Sequence, residues 1–302
     1  MLSYRFEPVA ACDMCGADPG QFRNMGLRLN RSQGLNPRAA SGIAVSVKKC
    51  RNCELVFADP RPVPASFDDH YGAAEDYWAE DYFTEEPGYF GAEIATAQGL
   101  LGFRQGMRAL DIGAGIGKAM KAMMAAGFDT EGFEPSPAFR RAAIERTGIP
   151  EDSLALAGVE DAKLPAEHFD FISFGAVLEH LQSPCQAIER AIGWLKPGGI
   201  IQAEVPSSRW LISRLVNAFY RLRGTSYVTN ISPMHRPFHL FEFGLQSFEK
   251  HGLRSGYEVA CHHFAVCSIP HAPRLLHPLL RWWMERTGTG MQLTVFLRKL
   301  AS

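Results

Sequence analysis

Four cysteines near the N-terminus form two pairs, Cys12 with Cys15 and Cys50 with Cys53. Two residues separate the members of each pair, which lets both sulfurs turn toward one ion. Four thiolates are what tetrahedral zinc takes in a closed structural site, one with no open position for catalysis. The competing reading is four reduced thiols without metal; a redox pair is disfavoured because neither C-x2-C opens a thioredoxin-like strand–helix unit. A second group is the glycine-rich run Asp111-Ile-Gly113-Ala114-Gly115-Ile-Gly117. Its glycines let the backbone turn tightly and approach a ligand, and the helix behind it presents N–H groups that favour an anion. Glu134 stands 21 residues past Gly113, where a carboxylate can accept both hydroxyls of a ribose. Together they imply a cofactor containing a nucleoside. The third group is histidine: His180, and the pair His235 and His239. An i, i+4 pair suits a metal on a helix, but Pro233 and Pro237 make a regular helix there unfavourable. A substrate or base role, or plain loop packing, is the better expectation for that pair.

The elements that position these groups alternate. Met107 to Ile112 reads as a strand running into the glycine turn and a helix that Gly127 ends. Asp129 to Phe133 is a second strand, followed by Ser136-Pro137 as cap and first turn of a helix reaching Thr147. Leu154 to Ala157, Phe169 to Phe174 and Ile200 to Val205 are further strands. Ser183-Pro184 repeats the cap signature, and Gly290 to Lys299 reads as a closing strand. Strands separated by helices mean a parallel sheet covered on both faces, with ligands at the carboxyl edge. Ahead of this unit, Pro60, Pro62 and Pro64 mark an extended linker. Residues 1–62 read as the metal-binding subdomain and linker, 63–105 as an aromatic and acidic helical segment, and 106–302 as the main domain with a cap over 207–243.

A dinucleotide fold would need G-x-G-x-x-G, and the third glycine is missing here. ALDIGAGIG, EGFEPS, FDFISFGAVLEHLQSP and LKPGGIIQAEVPS instead resemble, in order, four motifs of the class I S-adenosylmethionine-dependent methyltransferases. The likeness covers roughly residues 90 to 302. CRNCELVFADPRP resembles the zinc-ribbon preface of one bacterial branch, associated with sugar, polysaccharide and natural-product tailoring. The resemblance implies an α/β fold, a doubly wound, seven-stranded, mostly parallel Rossmann-like sheet, with a small N-terminal zinc ribbon. It implies that Asp111, Gly113, Ala114, Gly115 and Gly117 meet the methionine end of the cofactor. Glu134, followed by Pro135, would hold the ribose; Val159 and Glu160 would face the adenine; Gly175 and Ala176 would lie against the sulfonium. A hydroxyl acceptor also needs a base, and His180 is placed best for it, with His235 and His239 as alternates. Glu179 and His180 would otherwise simply cap the next helix.

Composition fits that reading. Lys and Arg number 31 against 32 Asp and Glu, so no basic field draws the chain to nucleic acid. No apolar run approaches ~18 residues, and the start lacks a secretory layout; a cytoplasmic protein is expected, with oligomeric state open. Residues 207–224 carry Arg209, Arg214, Arg221 and Arg223 without an acid, beside a stripe of Leu211, Leu215, Phe219 and Leu222. A cap helix, an anion site and a membrane-surface contact compete for that segment, the cap being preferred. The expected activity is methyl transfer from S-adenosylmethionine to a hydroxyl of a sugar, glycan or secondary metabolite. The rivals are a nicotinamide oxidoreductase and a non-catalytic binding protein.

Overall fold

The computed structural model describes residues 4–32, 34, 41–65, 83–84, 86–270 and 272–301. Residues 66–82, the bulk of the aromatic and acidic segment, lie outside the described residues, as does much of the loop between the cysteine pairs. The N-terminal region contributes β1 (Tyr4–Glu7), β2 (Phe22–Leu29), β3 (Ala44–Cys50), β4 (Val56–Ala58) and β5 (Arg61–Pro64). The proline-rich stretch is thus a strand rather than a linker: β5 pairs antiparallel with β1, Tyr4 opposite Pro64 and Phe6 opposite Pro62. A two-stranded ribbon has free edges, so a strand that lacks N–H donors is tolerated there.

α1 (Gly91–Leu101) leads into the main unit: β6 (Arg108–Ile112), α2 (Lys118–Ala125), β7 (Asp129–Glu134), α3 (Pro137–Ala142), β8 (Leu154–Leu156), β9 (Phe169–Gly175), α4 (Pro184–Trp194) and β10 (Leu195–Pro206). α5 (Leu211–Leu222), β11 (Phe241–Glu242), α6 (Leu245–Ser255), β12 (Tyr257–Ala265), α7 (His277–Thr287) and β13 (Gln292–Lys299) follow. The main sheet runs β12-β13-β10-β9-β6-β7-β8. Its strands are parallel except β13, which is antiparallel to both β10 and β12. The chain crosses from β8 back to β9 on the other side of β6, so the switch point lies between β6 and β9, where such sheets bind ligands.

Side chains alternate across this sheet with the period of two that strands impose. Ala109, Phe171, Ile200 and Phe296 face α1 and α2, packing with Ile94, Ala97 and Met123. Their neighbours Leu110, Ile172, Ile201 and Leu297 enter the opposite core with α4 and Phe248 of α6. Burial of each of the leucine, isoleucine, phenylalanine and methionine side chains among them contributes about 1.5–3 kcal/mol. The second core also takes in Cys12, Met14, Cys50, Cys53, Leu55 and Phe57, so the cysteine-bearing region shares one core with the main sheet.

The cap is joined to that region by backbone. β11, from the cap, pairs with β4 and completes a four-stranded sheet ordered β11-β4-β3-β2. At the other edge Leu27 N–H donates to Ser226 O at 2.8 Å and Val228 N–H to Leu27 O at 3.0 Å. One local expectation changes: Ser183 precedes α4 but its hydroxyl makes no cap. It donates to Asp13 Oδ1 at 3.1 Å, and Asp13 Oδ2 accepts the Cys185 N–H at 2.9 Å. The carboxylate between the first two cysteines therefore caps α4, where an anion is favoured by the helix dipole. The Ser136 hydroxyl does cap α3, accepting from Phe139 N–H, though the helix loosens into a π turn over Ala143–Thr147.

Candidate active site

The turn after β6 carries three left-handed glycines, Gly113, Gly115 and Gly117 (φ 69°, 56° and 78°). A Cβ on Gly113 would sit 2.8 Å from Val177 Cγ2, and one on Gly117 2.5 Å from Ile149 Cγ1. Those two glycines are required by packing as well as by φ. The turn's own N–H groups are largely occupied: Gly113 and Ala114 donate to Phe133 O, and Gly115 to Glu134 Oε2 at 2.8 Å. Glu134 Oε1 accepts the Ser136 N–H, also at 2.8 Å. The glutamate is thus 6% exposed with a backbone donor on each oxygen. A carboxylate oxygen has two accepting lone pairs, so one remains on each, and this pair of acceptors fits the two donors of a ribose diol. Burial raises the Glu134 carboxyl above its ordinary range, against the two backbone bonds that lower it.

Asp111, at the end of β6, is buried, and burial pushes its carboxyl up to about 7. Pro135 follows Glu134 at the end of β7. Val159 is packed in the main core and Glu160 is exposed in the turn beside it. Gly175 and Ala176 are exposed at the end of β9. Among the described residues nothing lies within 4 Å of a Cβ placed on Gly175. Ala176 adopts φ 55°, a left-handed conformation costing about 1 kcal/mol in a residue with a Cβ.

Beside Ala176 lies a cavity of about 360 Å³ between the ends of β9 and β10 and the cap. Glu179, Glu204, Glu242, Arg28, Trp210 and His239 are among the residues that line it. Arg28 reaches it from β2, only 8% exposed; burial lowers its pKa to about 10, which leaves it charged. Its Nη1 donates to Val228 O at 3.4 Å and its Nη2 lies 3.0 Å from His235 Nε2. Glu242 accepts from Asn230 Nδ2 and Ile231 N–H, which fixes the cap loop.

Glu179, His180 and His239 come together, their ligating atoms within 4.8 Å of one another. His239 Nε2 is 3.9 Å from Glu179 Oε1, and the rings of His180 and His239 meet edge-on, centroids 5.0 Å apart. Burial pushes Glu179 up to about 8. Burial, then the neighbouring His180, lowers His239 to about 3. Glu179 Oε2 is buried without a hydrogen-bond partner among the described residues. His235 is oriented on Arg28 and is lowered to about 4 by burial and that charge; it is not among the cavity-lining residues. The segment holding His235 and His239 is turn and loop rather than helix, as its prolines require.

Sequence reasoning passed over Arg28, Glu204 and Trp210. Glu179 was weighed only as a helix cap. Arg28 sits on a ribbon strand about 200 residues from its cap partners, and no local pattern marks it. Glu179 had a signal, being an acid next to His180 directly beyond the fourth sheet strand.

Cys12, Cys15, Cys50 and Cys53 bring their four sulfurs within 4.8 Å of one another, with Cys12–Cys53 at 3.5 Å and Cys15–Cys50 at 3.7 Å. Zinc–sulfur bonds of ~2.3 Å in a tetrahedron set sulfurs about 3.8 Å apart, so the cluster has the dimensions of a zinc site. None of the four is in a disulfide; the hydrogen bond with Cys53, then burial, raises Cys12, and burial, then the neighbouring Cys12, raises Cys50. A cation would offset that cost by stabilising the thiolates.

A family profile described as a methyltransferase domain matches residues 89–294. The ubiquinone biosynthesis O-methyltransferase of Bordetella avium is 28% identical over 160 residues, 50% of this chain and 61% of that protein. The chain therefore spans less than two thirds of that relative's length. A chain from the complex of the Haloferax volcanii Trm112 methyltransferase activator with a methyltransferase superposes with TM-score 0.50 at 18% identity, covering 78% of this chain and 99% of that one. An S-adenosylmethionine-dependent methyltransferase from Mesorhizobium loti gives TM-score 0.48 at 17% identity, over 69% of this chain and 98% of that one. At such identity the Haloferax volcanii structure speaks to the fold alone, the Rossmann-like seven-stranded sheet. The profile runs from before α1 into β13 and takes in every motif at the carboxyl edge, and the chain belongs to the methyltransferase-domain family.

Proposed function

We propose that the chain methylates a hydroxyl of a polyhydroxylated acceptor, a sugar, glycan or secondary metabolite, bound in the cavity under the cap. The observation that carries this reading is the cavity wall. Glu179, Glu204 and Glu242 line it together with Ser207, Ser213 and Ser232. Such a wall accepts hydrogen bonds from several hydroxyls, and Trp210 offers an apolar face to a ring. The Bordetella avium relative is named for O-methylation, which supports oxygen as the nucleophile and makes a phenolic hydroxyl the second reading.

When bound, S-adenosylmethionine supplies a methyl group made electrophilic by its sulfonium. Glu134 would hold its ribose, with the Gly113–Gly117 turn and Asp111 at its methionine end, Pro135, Val159 and Glu160 on its nucleoside side, and Gly175 and Ala176 nearest the reacting atoms. The chain's work is then alignment and proton removal. His239 is neutral around pH 7 and accepts the acceptor's proton on its ring. Glu179, once ionised, stabilises the imidazolium so formed, as the carboxylate of a catalytic triad does. His180 packs against the His239 ring and limits its orientation. The base is thus assigned to the cap, with His180 in support and His235 holding Arg28. The four cysteines bind one structural zinc that carries no step of the reaction.

The test is an acceptor panel of polyols, nucleotide-linked sugars and phenols, incubated with the cofactor and read by mass spectrometry for a gained methyl. A methylated sugar hydroxyl supports the reading. Methylation confined to phenols selects the second one, and methylation confined to amines or carbon removes both.

A further inference from the structure

α5 and α7 each leave an apolar stripe exposed. On α5 the buried residues include Ser213, Asn217 and Tyr220. Asn217 bonds Asn230 and Thr229, and the Tyr220 hydroxyl donates to Gly34 O. The apolar residues Leu215, Phe219 and Leu222 stand on the other side, exposed, Leu222 at 87%. At 100° per residue these three fall within an arc of about 60°. α7 and the turn before it also leave an apolar stripe exposed. Leu275, Leu276, Leu279, Trp282 and Trp283 lie within an arc of about 120°, and both tryptophans are 51% exposed. Met284 on the opposite face is fully buried.

The two helices form one lobe. Ile212, Val216 and Trp210 pack with Met284, Leu280, Val266 and Ile269 in a single cluster, and Leu211 N–H donates to Thr289 O just past α7. Charge follows the same lobe. Arg209, Arg214, Arg221, Arg223, Arg274, Arg281 and Arg286 are all exposed, with Glu285 the only acid in the two segments 207–224 and 272–290. The chain as a whole carries −1, so this positive field is local. The Arg223 and Arg286 guanidinium groups lie over the rings of Phe219 and Trp282, arginines flanking an apolar stripe as at a headgroup boundary. No helix among the described residues is long and apolar enough to cross a membrane, but a helix lying in the interface needs only such a face.

We propose that this lobe docks on an anionic phospholipid bilayer, with the Leu, Phe and Trp side chains in the acyl boundary and the arginines on lipid phosphates. The cap wall formed by Trp210 and Ser213 belongs to the same α5 segment, so docking sets the acceptor cavity beside the membrane surface.

The experiment is vesicle co-sedimentation of the full chain, with phosphatidylcholine alone or mixed with phosphatidylglycerol. The chain should pellet with the mixed vesicles, bind pure phosphatidylcholine at least about tenfold more weakly, and lose binding as salt rises. Brominated lipid should quench its tryptophan fluorescence. Trp282→Ser with Trp283→Ser, both on the exposed face, should reduce partitioning about tenfold or more, while cofactor affinity and melting temperature stay as in the parent. Folded parent that fails to bind the mixed vesicles at low salt overturns the proposal. So does sedimentation velocity showing a dimer that the same double substitution dissolves, because the apolar face then belongs to a second copy.

Discussion

Replacing Glu179 by Gln keeps the volume of a side chain that is 2% exposed and removes only its capacity to ionise. The carboxylate would lie 3.9 Å from the His239 nitrogen. At an effective dielectric of about 20 a charge pair at that distance is worth about 4 kcal/mol. Loss of that term from the state in which His239 has taken the proton slows turnover about 10³-fold, within the range for general base catalysis. The pH profile carries a sharper signature. Resting near pH 7, the pair holds its proton on Glu179, pushed up to about 8, and not on His239, lowered to about 3. Parent turnover should therefore rise up to about pH 8, as the pair empties, and not level off near the ~6.5 of an ordinary histidine. Glu179→Gln should lose that limb, and combining it with His239→Ala should add little, since the two act as a unit. Steady-state turnover from about pH 6 to pH 9 on both variants, with calorimetry of S-adenosylhomocysteine, gives all of this. A Gln variant with parental turnover and the same rising limb refutes the assignment, and a tenfold loss of adenosylhomocysteine affinity would move Glu179 to the cofactor site.

Glu134→Ala should weaken S-adenosylhomocysteine binding by ~1.5–3 kcal/mol, measured by calorimetry; unchanged affinity removes Glu134 from the ribose site. Purified, reduced protein should carry about one zinc per chain, and chelation should abolish acceptor turnover at temperatures where adenosylhomocysteine still binds; metal-free preparations with full turnover would sink both parts. Asp13→Ala should lower stability by about 1 kcal/mol through the lost cap of α4, read as a fall in melting temperature with cofactor affinity kept. Buried carboxyls also make stability fall with alkalinity. The folded pKa of Glu179, about 8, lies above its ordinary 4.5, and that of Asp111, about 7, above 3.8, so the folded chain holds the extra protons. Their contribution is full below about pH 4 and is lost as pH rises through 7 to 8. Calorimetric scans should show Glu179→Gln gaining on the parent between about pH 5 and pH 9; a constant difference would mean Glu179 titrates normally.

The main sheet was legible because its signals are local. A strand that meets a glycine turn, an acid at the end of the next strand and a proline after a serine cap each occupy a few adjacent residues. Chain connectivity then fixes their order, since right-handed crossovers leave few topologies. The two cysteine pairs were legible for the same reason. β5 was misread because proline punctuates linkers far more often than it lines an edge strand, and its partner β1 lies more than fifty residues earlier. The cap of α4 was misassigned to Ser183 because the better acceptor, Asp13, comes from 170 positions away. The acceptor cavity was the least legible part. Arg28, Glu179, Glu204 and Trp210 converge from a ribbon strand, a turn, a sheet strand and the cap, and no spacing rule connects them.

That convergence ties the cysteine cluster, which has no open position of its own, to the residues proposed to act on the acceptor. Cys12 and Cys15 bracket Asp13, whose carboxylate caps α4, and α4 begins four residues after the Glu179–His180 turn. Cys50 ends β3, which pairs with β4, and β4 pairs with β11, two residues beyond His239. β2 of the same sheet carries Arg28 and holds Val228 and His235. Glu179 and His239 are thus each tied within a few residues to the four sulfurs, while Gly113 to Gly117 and Glu134 are held by bonds within β6, β7 and the turns beside them. A distance of 3.9 Å between two groups on separate segments survives only if both segments are fixed to a common support, and at short range a displacement of 1 Å already costs turnover heavily. On the proposed assignment, the cysteine-bearing sheet is that support for the acceptor side, and the main sheet is the support for the cofactor side.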